Sequence, residues 1–190
     1  MADKNIYGDK IVTPDFIANF PALLEPKPNL NGTLKYSVQM LFEKANQTVL
    51  TQMLASVKDL IEQKGWNEKT TVKPFRDGDT LLNKEGNPKE ALHGYVVVNA
   101  TSNVKYPPSV VDGTKKPIVN PVEIHSGVEM KAVVTPRTYE MAGKRGVSFM
   151  LNAAQKIGEG IEIQGGGFSS GVDMLEPIGQ QAADASSMFG

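Results

Sequence analysis

The chain has 190 residues, a formal net charge of -1, no Cys and two His, which leaves room for one sizeable core and excludes disulfide scaffolds, thiolate metal sites and a zinc site made of imidazoles alone. A hydrophobic content of 40% and a charged content of 22% are those of a folded globular protein. The apolar runs are short and the start, MADKNIYGDK, is polar, so the sequence reads as a cytoplasmic protein without a signal peptide or membrane span.

Residues 1–9 carry no regular pattern. From Lys10 to Phe20 the β-formers Ile11, Val12, Thr13 and Ile17, with Phe16 and Phe20, predict a first strand interrupted at Pro14. Phe16 and Phe20 are expected in the core. Pro21, Pro26, Pro28 and Asn31-Gly32 predict a loop and turn. In the second strand, Leu34–Phe42, Tyr36, Val38, Met40 and Phe42 share one face, and Lys35, Ser37 and Gln39 the other. The period then changes to 3.6. Val49, Leu50, Met53, Leu54, Val57, Leu60 and Ile61 form the stripe of an amphipathic helix over residues 46–64, with Asn46 as its cap and Gly65 as its stop.

Val72–Arg76 predicts a short strand, followed by turns at Asp77-Gly78-Asp79 and at Asn83–Pro88. His93–Ser102 predicts a strand buried on both faces or nearly so. Asn103–Pro121 reads as loop. The stretch from Gly127 to Lys156 is a hairpin: Val128, Met130, Ala132 and Val134 on one arm are answered by Val147, Phe149, Leu151 and Ala153 on the other. Between the arms, Pro136–Gly146 is expected to be a solvated basic loop, too long for a two-residue turn.

Residues 157–190 read as a flexible tail, with Gly165-Gly166-Gly167 and Ser169-Ser170-Gly171. The tail contains no Lys or Arg, and its five acids leave 16 acidic against 20 basic residues before it. A basic body joined to an acidic tail suits a polyanion binder whose tail competes for its own groove. An acidic tail that serves only solubility is the other reading of the same charges.

Together these elements predict a mainly β (α+β) domain over residues 1–160, an oligonucleotide/oligosaccharide-binding (OB) type barrel of five or six bent antiparallel strands, partly open, with one helix and long loops. An α+β sandwich is the alternative, and residues 161–190 form the appended acidic tail.

Asp77-Gly78-Asp79 is the best carboxylate constellation for an enzyme and would suit a metal-dependent phosphodiesterase. No HExxH, Walker or nucleophile-elbow pattern completes such a site, so no catalysis and no cofactor are expected. A single-strand binder needs rings for bases and cations for phosphates. Phe75-Arg76, Lys105-Tyr106, Arg137 with Tyr139, and Lys144-Arg145 supply both, and Lys131 adds a cation on the polar face of the hairpin. Tyr36 and Tyr95 are divided between core and surface, while Tyr106 and Tyr139, flanked by Pro, Gly and charge, are expected to be exposed.

LKYSVQMLFEK from Leu34 to Lys44, Pro74-Phe75-Arg76-Asp77-Gly78-Asp79, GYVVVNATS from Gly94 to Ser102, Pro107–Asp112, Ile124–Gly127 and GVSFMLNAAQK from Gly146 to Lys156 occur in the order of segments in a known family. Over about Thr13 to Gly160 the chain resembles the bacteriophage single-stranded DNA-binding proteins catalogued as DUF2815. The resemblance implies an OB-type fold that coats single-stranded DNA in phage replication or recombination, in the host cytoplasm. It recasts Arg76-Asp77-Gly78-Asp79 as a turn or groove element. The family pattern sets a cation beside the Pro, whereas here Lys105 precedes Tyr106. The expected DNA-binding residues are Tyr36, Phe75, Arg76, Tyr95, Lys105, Tyr106, Lys131, Arg137, Tyr139, Lys144 and Arg145. The expected partners are single-stranded DNA, phage replication or recombination proteins on the Phe189-tipped tail, and a second copy in a homodimer. A virion structural protein remains the further alternative.

Overall fold

The computed structural model describes residues 4–161 and residue 163. Eight strands form one sheet: β1 (Ile11–Val12), β2 (Phe16–Pro28), β3 (Leu34–Glu43), β4 (Phe75–Asp77), β5 (Tyr95–Asn103), β6 (Ser109–Val111), β7 (Glu129–Met141) and β8 (Lys144–Gly158). Five of them close a ring in the order β2-β3-β5-β8-β7, with β7 returning to β2 at Phe16 and Ile17. In chain order that is first, second, third, fifth, fourth, with the third and fifth parallel, the Greek-key barrel of the OB type. The ring has five strands, as expected, and the short strands β1, β4 and β6 are added outside it.

The ring is thin at two joints, β2 with β7 through Phe16–Met130 and Ile17–Glu129, and β5 with β8 through Ala100–Phe149 and Thr101–Met150. Below the second joint β4 pairs with β5, and Val72 bridges to Gly146 of β8, so residues 72–77 fill the gap. The core lies inside the barrel, where Phe16, Val38, Met40, Phe42, Val98, Met130, Val134, Phe149 and Leu151 are buried. The one α-helix among the described residues, α1 (Thr51–Gln63), adds Met53, Val57, Leu60 and Ile61 to that core. Among the described residues no helix is long and apolar enough to cross a membrane.

Several local expectations change. The prolines expected to break the chain after Phe20 lie inside β2, where the pairing with β3 shifts register between Asn19 and Ala22 and again between Ala22 and Lys27. Bulges and an edge left unpaired by β7 beyond this point tolerate residues without an N–H. Asn46 caps nothing: a 3-10 turn over Lys44–Leu50, kinked at Asn46, leads into α1, and the cap position is Leu50. The end of α1 follows the expectation, since Gly65 N–H donates to Glu62 O and Trp66 N–H to Ile61 O, the two bonds of a Schellman stop. The loop expected over residues 103–121 contains β6, which pairs in parallel with β8 through Ser109–Ala153, Val110–Ala154 and Val111–Gln155.

The largest correction is at the hairpin tip. Pro136–Gly146 is not a loop, because β7 and β8 pair without a break down to Met141–Lys144 and turn on Ala142-Gly143 alone. Both turn residues have positive φ, 50° and 77°, as a two-residue hairpin turn requires. Ala153 also leaves its expected face, since Asn152 is an extra residue opposite the Val133–Val134 step and puts Ala154 inside. The first two residues of the expected tail, 157–158, belong to β8, and beyond Ile161 and Ile163 the tail lies outside the described residues.

Candidate nucleic-acid interface

The outer wall of β3 and β5 is read directly from their register. Lys35 faces Asn103, Ser37 faces Thr101, Gln39 faces Asn99, Leu41 faces Val97 and Glu43 faces Tyr95. Alternate residues point outward, so the wall is a polar strip that ends in an apolar patch. On β2, Asn19 extends the strip sideways: its Nδ2 donates to Gln39 Oε1 at 2.8 Å, and Gln39 Nε2 donates to Asn99 Oδ1 at 3.4 Å. Asn99 is exposed and its Nδ2 has no partner among the described residues. A row of amides with unspent donors can pair with the edges of unpaired bases.

Phe20 stands beside that row. Expected in the core, it is 67% exposed, and its φ of 46° puts it in the left-handed region. For a residue with a Cβ this conformation costs about 1–2 kcal/mol. Its N–H is held by Ser126 Oγ at 2.9 Å. The ring, Asn19, Gln39, Lys89 and Leu92 line a cleft of about 390 Å³. A strained backbone holding an apolar ring in water destabilises the fold without contributing to the core, which is a mark of a contact surface. Periodicity could not have found it, because Phe20 sits where β2 changes register.

At one end of the strip the chain brings predicted residues together. Tyr106 N–H donates to Asn103 O at 2.9 Å and Lys105 N–H to Asn103 Oδ1 at 3.2 Å, so both follow β5 in a tight turn next to Lys35. Tyr106 is 68% exposed. Tyr36 is half-buried on the opposite parity from the strip, paired with buried Ser102, whose hydroxyl donates to Tyr106 O.

At the other end, Arg76 pairs with Val97 on the outer wall and is exposed, whereas Phe75 turns inward and meets Phe149 edge-on at 6.1 Å. Tyr95 is half-buried against Leu41, Leu92 and Val97. Ile163 joins the same patch, after Ile161 N–H has bonded Gly127 O at 2.9 Å. The chain that leads into the tail therefore arrives on this wall.

The hairpin divides the remaining predicted cations. Opposed residues share a face, so Tyr139 with Gly146, Arg137 with Ser148 and Met141 with Lys144 lie on the outer side, while Glu140 with Arg145 continues the inner side of buried Thr138 and Val147. Tyr139 lies flat on Gly146, where a Cβ would come within 2.5 Å of the ring. Arg145 instead meets Trp66, a ring the sequence clusters left out, at 5.7 Å. Lys131 is tied to Asp15 at 3.2 Å. Tyr106, Tyr139 and Arg145 are thus not walls of one trough, because a two-residue turn keeps the pleat intact where a loop was expected.

The carboxylates of Asp77 and Asp79 do not form an ion site. Lys44 Nζ lies between them and bonds both. Asp79 also accepts from Gly94 N–H at 2.7 Å, and Asp77 accepts from Asp79 N–H at 2.9 Å. The Lys44 contact holds both carboxyls below the usual carboxylate range, and their hydrogen bonds raise the Lys44 ammonium. Gly78 fixes the turn, since a Cβ there would lie 2.0 Å from Leu92 O. Asp77-Gly78-Asp79 is a structural knot joining β4 to the start of β5. Among the described residues no cluster of His, Asp and Glu can hold a metal ion.

The sequence model of a family described as "Enterobacter phage Enc34, ssDNA-binding protein" matches residues 9–185. Curated proteins give no match. The fold is similar to that of the single-stranded DNA-binding protein from bacteriophage Enc34 in complex with ssDNA, with a TM-score of 0.62 at 19% identity over 82% of this chain and 89% of that one. A C-terminal truncation of the Enc34 protein gives a TM-score of 0.64 at 17% identity, covering 85% of this chain and 98% of that one. For gp2.5, a single-stranded DNA-binding protein encoded by bacteriophage T7, the TM-score is 0.58 at 12% identity, covering 90% and 98%. At such identities the likeness of structure speaks for the fold.

Proposed function

The chain belongs to the family of the Enterobacter phage Enc34 ssDNA-binding protein, and from that premise we propose that it binds and coats single-stranded DNA without catalysis, during phage replication or recombination in the host cytoplasm. The bases lie along the outer wall of β2, β3 and β5. The observation that carries this reading is Phe20, strained and exposed at the edge of the Asn19–Gln39–Asn99 amide row. One base stacks on its ring, a contact worth about 1–3 kcal/mol. Lys35, Lys105 and Tyr106 receive the strand at one end of the wall and Arg76 at the other. Arg137 and Tyr139 extend the surface around β7 and β8.

The phosphodiesterase alternative loses its motive, because the two carboxylates it needs are held by Lys44. The acidic tail, reaching this wall at Ile163, competes with DNA for it and offers its free end to replication proteins. Titrating labelled dT, rU and duplex oligomers at two salt concentrations tests the reading. Complexes with dT that weaken as salt rises are expected, with much weaker duplex binding. Absence of a dT complex overturns it and favours a virion structural role.

A further inference from the structure

Trp66 is the one Trp of the chain, and it lies away from the wall just described. The Schellman stop of α1 turns the chain so that the indole packs partly on the core beside the hairpin tip. Lys64 Nζ stands 5.2 Å and the Arg145 guanidinium 5.7 Å from the ring centre. The ring forms one side of a cleft of about 1000 Å³ whose other side is the tip, with Glu140, Lys144 and Arg145. Glu140 Oε1 is ion-paired with Arg145 Nε at 3.2 Å, and Lys144 is exposed with no carboxylate partner among the described residues. Lys144 and Arg145 against the one carboxylate of Glu140, beside an indole, give a surface that favours an anion carrying a flat ring. The cleft is large enough for a nucleotide. Residues 72–77 run from the lining of the cleft at Val72 to β5, where Arg76 stands exposed opposite Val97.

We propose that this cleft is a second nucleotide subsite: a single strand leaving the outer wall past Arg76 sets one unpaired base against Trp66 and its phosphates against Lys144 and Arg145. The proposal rests on the single-strand reading above. A duplex cannot use the cleft, since its bases are not free to stack. A strand too short to pass Arg76 does not reach it.

The test reads Trp66 emission while the full chain is titrated with dT oligomers of about 5 and about 20 nucleotides, below and above the usual span of one such barrel. Both bind, and only the longer changes the emission. Lys144→Glu, at an exposed position of the tip, lowers affinity for the longer oligomer about tenfold and leaves the shorter unchanged. Trp66→Leu does the same, and Trp66→Phe restores binding. Unchanged emission at saturation with the longer oligomer overturns the proposal, as does an equal effect of Lys144→Glu on both lengths. An emission change on removing residues 164–190 without DNA would assign the cleft to the tail and overturn it as well. If neither oligomer binds, the single-strand reading itself fails, and the subsite with it.

Discussion

Two polar clusters flank β5, and they differ in what they leave unspent. In the Asp77-Gly78-Asp79 knot, Lys44 and the Gly94 and Asp79 amides engage three of the four carboxylate oxygens, and the Lys44 ammonium offsets the charge that would draw a cation. In the Asn19–Gln39–Asn99 row, each amide passes one hydrogen bond along and Asn99 keeps its donors for solvent, beside a strained aromatic ring. Dense charge in a sequence marks a closed structural joint here, and neutral amides mark the open surface. The deciding quantity is hydrogen-bonding capacity left over after folding, not charge.

Breaking the closed cluster has the largest expected effect. Gly78→Ala drives a Cβ into Leu92 O at 2.0 Å, so chemical denaturation of the variant should show a loss of about 3 kcal/mol or more. Uncovering the open wall comes next. Removing residues 164–190 takes away three of the five tail acids and should raise dT affinity several-fold at low salt, the gain shrinking as salt rises; equal affinity would show that the tail does not cover the wall. Arg76→Gln should weaken dT binding uniformly across sequences and reduce the salt slope by about 1.

The smallest effect is on pH dependence. Asp77 and Asp79 have folded-state values lowered first by the Lys44 hydrogen bond, so their contribution to stability is present above the ordinary carboxylate value of about 4 and is lost as pH falls through the lower folded values. Lys44→Met should therefore flatten the fall in melting temperature below pH 4. Because all three groups are solvent-screened, a modest difference is expected.

The barrel was legible because its strands alternate cleanly: the inward residues of β3, β7 and most of β8 are those the period-2 pattern assigns. What escaped depends on pairing rather than composition. Ala142-Gly143 could not be singled out as the turn because Gly146 and the charges around it look equally loop-like, and only the register with β8 shows Thr138 buried. The prolines of β2 read as breakers because a strand edge without a partner leaves no mark in sequence. Exposed Tyr106 was visible from its flanking residues, whereas Tyr139, expected to be exposed on the same ground, is half-buried against Gly146. Phe20 and Trp66 were not visible, since an apolar ring looks like core until a bulge or a helix stop turns it outward. The pleat that separates Arg145 from Tyr139 likewise appears only once the strands are known to run to the tip.

Phe20→Gly tests the account most directly, through denaturation and labelled dT titration of the same full-length protein. Glycine adopts a φ of 46° without strain, so the account predicts a fold more stable by about 1 kcal/mol and dT affinity at least about fivefold weaker. Equal affinity, with stability raised or not, would contradict it and remove the β2–β3–β5 wall as the place where DNA lies.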